Sequence, residues 1–335
     1  MDEKELDLAG VENVPAPDLK KAKKAFSHLG FSLVIFFAVI TALQVAGSYL
    51  VNLPGVPATP LVQWLITYII PLYVVGVPVT VLVMRKVPAE RLEPQGLRLG
   101  QLLKYLLMCL PIMYGGNLIG TLLSMMFTSG TSQNPLESVV MEGSWIQAVV
   151  LAVLAPIFEE YIFRKQLIDR IGRYGEKTAI FFSALTFGLF HGNLYQFFYA
   201  FALGLLFAWI YTRTRRLRYT VFLHMCINFL GSVVAPWVVK QANLDDTAAL
   251  TDAVTNGDLG GALVLVVYGL LLIVLSITGL VLLIRNRKSF VLQPASEQLP
   301  KGSGFKTAFV NAGVIVFTIL CLGMFVFALF GAGLM

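Results

Sequence analysis

Two adjacent carboxylates, Glu159 and Glu160, lie inside the apolar run of residues 145–163, and Arg164 follows directly. Two of the chain's three histidines sit in further apolar runs, His191 in SALTFGLFHGN and His224 in TVFLHMCINFLG. An ionisable side chain at the centre of a membrane helix costs roughly 2.5–3.5 kcal/mol on insertion scales, so such groups are kept where they have a function. A carboxylate with imidazoles and an amide can activate a water for hydrolysis. The carboxylate takes the proton, and N–H donors stabilise the oxyanion that forms.

Helical spacing sorts these groups into three motifs. Glu160 and Arg164 are four apart, share one helix face and can pair. Glu159 is turned from Glu160 by about 100° and is free to point elsewhere. Phe187 and His191 are four apart, as are His224 and Asn228. The order along the chain is Glu-Glu-x-x-x-Arg, Phe-x-x-x-His, His-x-x-x-Asn. Glu160 with Arg164 also reads as an ion pair anchoring a helix end. Phe187 reads as packing, and Gly188, Gly192 and Gly204 as points of close helix contact. His28 reads as an interfacial residue at the start of the first span.

Membrane helices must position these groups. The chain is 57% hydrophobic and 13% charged, with a mean hydropathy of +0.77, well outside the range of soluble domains. A spanning helix needs about 20 apolar residues. Nine candidates emerge, at 28–52, 60–84, 100–128, 145–164, 177–192, 195–213, 219–240, 260–285 and 306–334. The fifth is short and is separated from the sixth by only a few residues, which leaves the total at eight or nine. The expected fold is an all-α polytopic bundle with its site among the central helices. Pro71, Pro78, Pro111 and Pro156 fall inside spans and predict kinks or re-entrant turns.

Basic residues set the orientation. If nine spans alternate, 24 of the 25 Lys and Arg fall on one side, and only Lys240 is left for the other. The other side carries Glu137, Glu142, Asp245, Asp246, Asp252 and Asp258. By the positive-inside rule the N-terminus is cytoplasmic and the C-terminus is outside. The net charge of +6 is thus accounted for by topology and anionic lipid, without nucleic acid. Cys109, Cys226 and Cys321 have no disulfide or metal spacing.

The predicted organisation has four parts. Residues 1–27 form a cytoplasmic tail, and residues 28–128 form three spans poor in ionisable groups. Residues 145–240 form a core of four spans that holds every candidate catalytic side chain. Residues 260–335 supply two C-terminal spans joined by a cytoplasmic linker at 286–304. No cleavable signal peptide is expected, because residues 1–27 are polar and the first apolar run is long.

The motifs FEEYIFR at 158–164, FGLFHGN at 187–193 and HMCIN at 224–228 resemble the CPBP intramembrane proteases. This is the Abi or CAAX-protease family, relatives of the type II CAAX prenyl endopeptidase and of the lysostaphin-resistance protein. The resemblance covers about residues 145–232. It implies peptide-bond hydrolysis within the membrane, with peptides or membrane proteins as substrates. Glu159 would be the base that, with His191, polarises the attacking water. His224 and Asn228 would stabilise the oxyanion or orient that water, and Glu160 would pair with Arg164.

Two forms of this chemistry are open at the level of sequence. One uses Glu and His alone. The other uses a divalent metal such as zinc, with Glu159, His191 and His224 as three ligands beside a water, although the zincin motif His-Glu-x-x-His is absent. Two functions of other classes compete. A proton- or ion-coupled transporter would use the same residues, but they cluster in one block and not in two matching halves. A non-catalytic scaffold of the bacteriocin-immunity type would bind a partner through them. The candidate residues are expected near the cytoplasmic ends of their helices, with substrate entering from the cytoplasmic leaflet. A bacterial plasma membrane is the expected setting.

Overall fold

The computed structural model describes residues 18–57, 59–90, 92–130, 134–141 and 143–331. The expected tail up to Pro17, including Lys4, lies outside them, as does Arg91. The helices in chain order are α1 (Leu19–Leu50), α2 (Pro60–Met84), α3 (Leu99–Thr128), the short α4 (Pro135–Met141) and α5 (Trp145–Tyr174). They continue with α6 (Glu176–Phe190), α7 (Leu194–Thr214), α8 (Leu217–Gln241) and the short α9 (Thr247–Thr255). The last three are α10 (Gly260–Arg285), the short α11 (Gly304–Phe309) and α12 (Ala312–Phe330). No strand occurs among the described residues.

Local chemistry fixes several boundaries. Asp18 accepts from the backbone N–H groups of Lys20 and Lys21, so α1 starts at Leu19. The basic Lys20, Lys21, Lys23 and Lys24 are therefore its first turns, and the tail ends earlier than the expected residue 27. Pro71 lies in a π-type stretch at Leu65–Gly76, and Pro156 follows another at Val150–Leu154. A proline cannot donate to the helix ladder, and a widened turn absorbs the lost bond. Pro111, by contrast, sits inside the uninterrupted α3.

Eight of the described helices are long and apolar enough to cross a membrane. Among the nine expected spans the exception is α6, with 15 residues. At about 1.5 Å per residue it reaches roughly 22 Å, short of a hydrocarbon layer of about 30 Å. It nevertheless preserves the alternation, because α6 and α7 form a hairpin. Glu176 at the start of α6 pairs with Arg213 at the end of α7, so both lie at one level. His191 ends α6, Gly192 takes φ +66°, and Asn193 caps α7 by accepting from the Gln196 N–H. A left-handed glycine between a C-cap and an N-cap makes the tight reversal possible.

The basic segments gather at one end of the bundle. Lys21 and Arg173 both pair with Glu297, Arg173 also reaches Glu90, and Arg215 reaches Asp169. Lys104 Nζ donates to Asn286 Oδ1, which ties α3 to the linker after α10. Five segments far apart in sequence thus share the basic end that their charges predict. At the opposite end, Gln147 Nε2 donates to the Ser232 carbonyl, joining the early part of α5 to α8.

Candidate active site

The site forms where α5, α6, α7 and α8 meet around a cavity of about 740 Å³. Glu159, His191, His224 and Asn228 all border it. Glu160 does not, being fully buried behind them with Arg164. The sequence places α5 in one continuous run from Trp145 to Tyr174, so the two glutamates stand near its middle. They were expected near a cytoplasmic helix end. The helix runs on because residues 165–174 alternate charge with buried Leu167, Ile168 and Ile171, which pack into the core at 0% exposure.

Glu160 is the junction of the arrangement. One carboxylate oxygen lies 3.1 Å from Arg164 Nε. The other accepts from His224 Nδ1 at 3.1 Å. The guanidinium of Arg164 lies over the Phe187 ring, 4.4 Å from its centroid, and donates to Ser183 Oγ at 3.3 Å. Ser183 in turn donates to the Phe163 carbonyl at 2.6 Å. A buried charge is tolerable when paired, hydrogen-bonded and set against an aromatic face, and Arg164 has all three.

The imidazoles are oriented by these contacts. A carboxylate facing Nδ1 of His224 makes that nitrogen the donor, which leaves Nε2 facing Glu159 at 3.6 Å. The Phe187 carbonyl lies 2.9 Å from His191 Nδ1. A carbonyl only accepts, so Nδ1 carries the proton there as well and Nε2 is open to the cavity. Phe187 separates the two rings, making edge contacts to His191 at 4.8 Å and to His224 at 5.7 Å. The packing role expected of Phe187 is therefore specific: it spaces both imidazoles and underlies Arg164.

Asn228 is anchored through a defect in α5. The Ala155 N–H bonds the Val150 carbonyl five residues back. The next bond in that register would run from Pro156 to Leu151, but proline has no N–H. Asn228 Nδ2 donates to the Leu151 carbonyl at 2.9 Å and fills the gap. Its second N–H and its carbonyl oxygen stay available to the cavity.

Three contributors escaped the sequence reading. Ser183 shares the face of Phe187 and His191 at four-residue steps, and that spacing was a usable signal. The Leu151 carbonyl could have been suspected from Pro156. The Asn193–Gln196–Tyr199 chain carried no signal: Asn193 Nδ2 donates to Gln196 Oε1, and Gln196 Nε2 donates to the Tyr199 hydroxyl at 3.0 Å. His28, in turn, bonds the Val83 carbonyl at 2.8 Å, far from the cavity.

Among the described residues, no three His, Cys, Asp or Glu side chains are grouped as an ion requires. The Nδ1 atoms of His224 and His191 are taken by Glu160 and by the Phe187 carbonyl.

Residues 141–230 match the model of the family described as type II CAAX prenyl endopeptidase Rce1-like. That segment contains all three motifs. A Bacillus subtilis (strain 168) protein described as "Putative membrane peptidase YdiL" is 34% identical over 93 residues, 27% of this chain. The matched segment spans 37% of that protein's length. No solved structure matches the chain.

Proposed function

We propose that this chain, whose residues 141–230 carry an Rce1-like core, is an intramembrane endopeptidase that hydrolyses its substrate with a water activated by Glu159. The observation that carries this reading is the approach of His224 Nε2 to Glu159 at 3.6 Å on a cavity also bordered by His191 and Asn228.

The chemistry follows from the donors and acceptors available. A water in the cavity gives one proton to Glu159 and points the other at the open Nε2 of His191. Its oxygen attacks the carbonyl carbon of the scissile peptide bond, whose π electrons move to the carbonyl oxygen. The second N–H of Asn228 faces that oxyanion, while the bare Nε2 of His224 orients the water beside Glu159. Glu160 keeps His224 in the tautomer this needs, as a carboxylate behind an imidazole does in hydrolytic triads. The tetrahedral intermediate collapses by breaking the C–N bond, and the proton on Glu159 passes to the leaving amine. The products are a carboxylic acid and an amine, and the base is restored.

The test is a comparison of membrane-protein termini between cells expressing the wild type and cells expressing Glu159→Gln at equal level. Hydrolysis predicts new termini that appear only with the wild type. Identical terminal profiles at confirmed expression would sink the enzymatic reading in favour of a binding role.

A further inference from the structure

We infer that the cavity receives its substrate as an extended peptide from the end of the bundle opposite the basic segments, and not from the cytoplasmic side. The inference rests on the proposed peptidase reading for the word substrate, but its geometry stands apart from catalysis.

Helix direction gives the first argument. α1, α3, α8 and α12 run away from the basic end, and the cavity touches each beyond its midpoint or towards its far end, at Gln44, Asn117, Ser232 and Ala328. α2 and α5 run towards the basic end, and the cavity touches them before that half, at Tyr68 and Leu151. Asn134 and Glu137, in the connection between α3 and α5, border it as well. On the basic-end side of Glu159, Phe163 and Arg164, both at 0% exposure, and the Glu160 ion pair follow on α5, and none of these residues borders the cavity. The passage from Glu159 therefore leads to the acidic end. By the positive-inside rule, that end faces away from the cytoplasm.

The lining gives the second argument. Gln44 and Asn117 reach the cavity, and neither has a hydrogen-bond partner among the described residues. An amide at membrane depth without a partner is costly, so a partner is expected from what enters. Each primary amide offers donors and an acceptor, the complement of a peptide N–H and C=O. Gln196 and Tyr199 continue the polar wall to the Asn193 turn beside His191. A long isoprenoid or acyl chain would leave the Gln44 and Asn117 amides unsatisfied, whereas an extended backbone can meet them at successive residues.

The experiment uses the full chain with Cys109, Cys226 and Cys321 replaced by Ala and single cysteines introduced at Glu137, Asn117 or Lys288. A membrane-impermeant maleimide is applied to intact cells and to inside-out vesicles. The expected result is that Glu137→Cys and Asn117→Cys label in intact cells and Lys288→Cys labels only in inside-out vesicles. Labelling of Asn117→Cys from the Lys288 side alone would overturn the inference. Labelling needs no hydrolysis, so a failed peptidase reading leaves the access result intact, and the reverse also holds. For the substrate class, Gln44→Leu and Asn117→Leu are expected to raise KM for an unmodified peptide about tenfold, the value of roughly one or two amide hydrogen bonds. An unchanged KM for the peptide in both variants would refute the amide-recognition half.

Discussion

Glu160 holds His224 by its Nδ1 at 3.1 Å while its other oxygen pairs with Arg164, so one buried carboxylate both neutralises a guanidinium and selects the imidazole tautomer. Its loss should therefore be felt twice. Glu160→Gln keeps an oxygen for His224 but leaves the fully buried Arg164 charge uncompensated, a change of about 3–5 kcal/mol when one member of a buried pair is removed. The expected outcome is a marked drop in thermal unfolding temperature together with lost turnover. In Glu160→Gln/Arg164→Met, with the charge also gone, the unfolding temperature should recover most of that loss. A double variant as unstable as the single would show that the pair is not what Glu160 stabilises.

Glu159 should fail in a different way. It borders the cavity and approaches only the open nitrogen of His224, so Glu159→Gln removes a proton acceptor without stranding a charge. Turnover of a peptide substrate should fall by roughly 10²–10⁴-fold, with the unfolding temperature within a few degrees of wild type. Wild-type turnover in this variant would move the base elsewhere.

The contrast between these glutamates shows how far residue spacing carries. Glu160 and Arg164 were readable as a pair because i and i+4 share a helix face, and the three motifs marked the block that forms the site. The link from Glu160 to His224 was not readable, since it crosses 64 residues of sequence and depends on how α5 and α8 are packed. The same holds for cavity direction. Charge alternation gave the bundle its two ends, but the extension of α5 to Tyr174 moved the glutamates from a helix end to mid-helix. Helix α6, too short for a span by itself, keeps the alternation only because Gly192 folds it back against α7. Periodicity reports which face of a helix is apolar, and neither its depth nor its partner.

Topology is checked at the points where the hairpin matters. Tags at residues 214 and 295 should be cytoplasmic, and tags near residue 250 and after Met335 should lie outside. This follows because Glu176 and Arg213 meet at the basic end, so α6 and α7 together return the chain to the side it left. Protease protection in sealed cells reads each position. A cytoplasmic tag after Met335 would mean that a crossing has been miscounted.

Close backbone approach positions α7 and with it Tyr199. A Cβ at Gly116 of α3 would lie 2.6 Å from both the Cα and the N of Tyr199, so the two backbones touch there. Gly116→Leu must push α7 away from α3. Overpacking of this kind costs about 1–3 kcal/mol, and here it also displaces the helix that follows the His191 turn. A lowered unfolding temperature with a raised KM is expected. An unfolding temperature equal to wild type would show that the contact is not tight in the membrane.

Asn228 joins structure and chemistry, and one double variant separates them. Asn228→Ala removes a donor to the developing oxyanion, an effect of roughly 10²–10³-fold on turnover. It also orphans the Leu151 carbonyl, which Pro156 cannot serve, at a cost of about 1–3 kcal/mol. Pro156→Ala supplies the missing backbone N–H within α5. In Asn228→Ala/Pro156→Ala the unfolding temperature should therefore rise again, and the two substitutions should be non-additive in stability because they share one acceptor. Turnover should stay low, because the restored N–H points along the helix and not into the cavity. Recovery of turnover along with stability would reduce Asn228 to a prop for the widened turn.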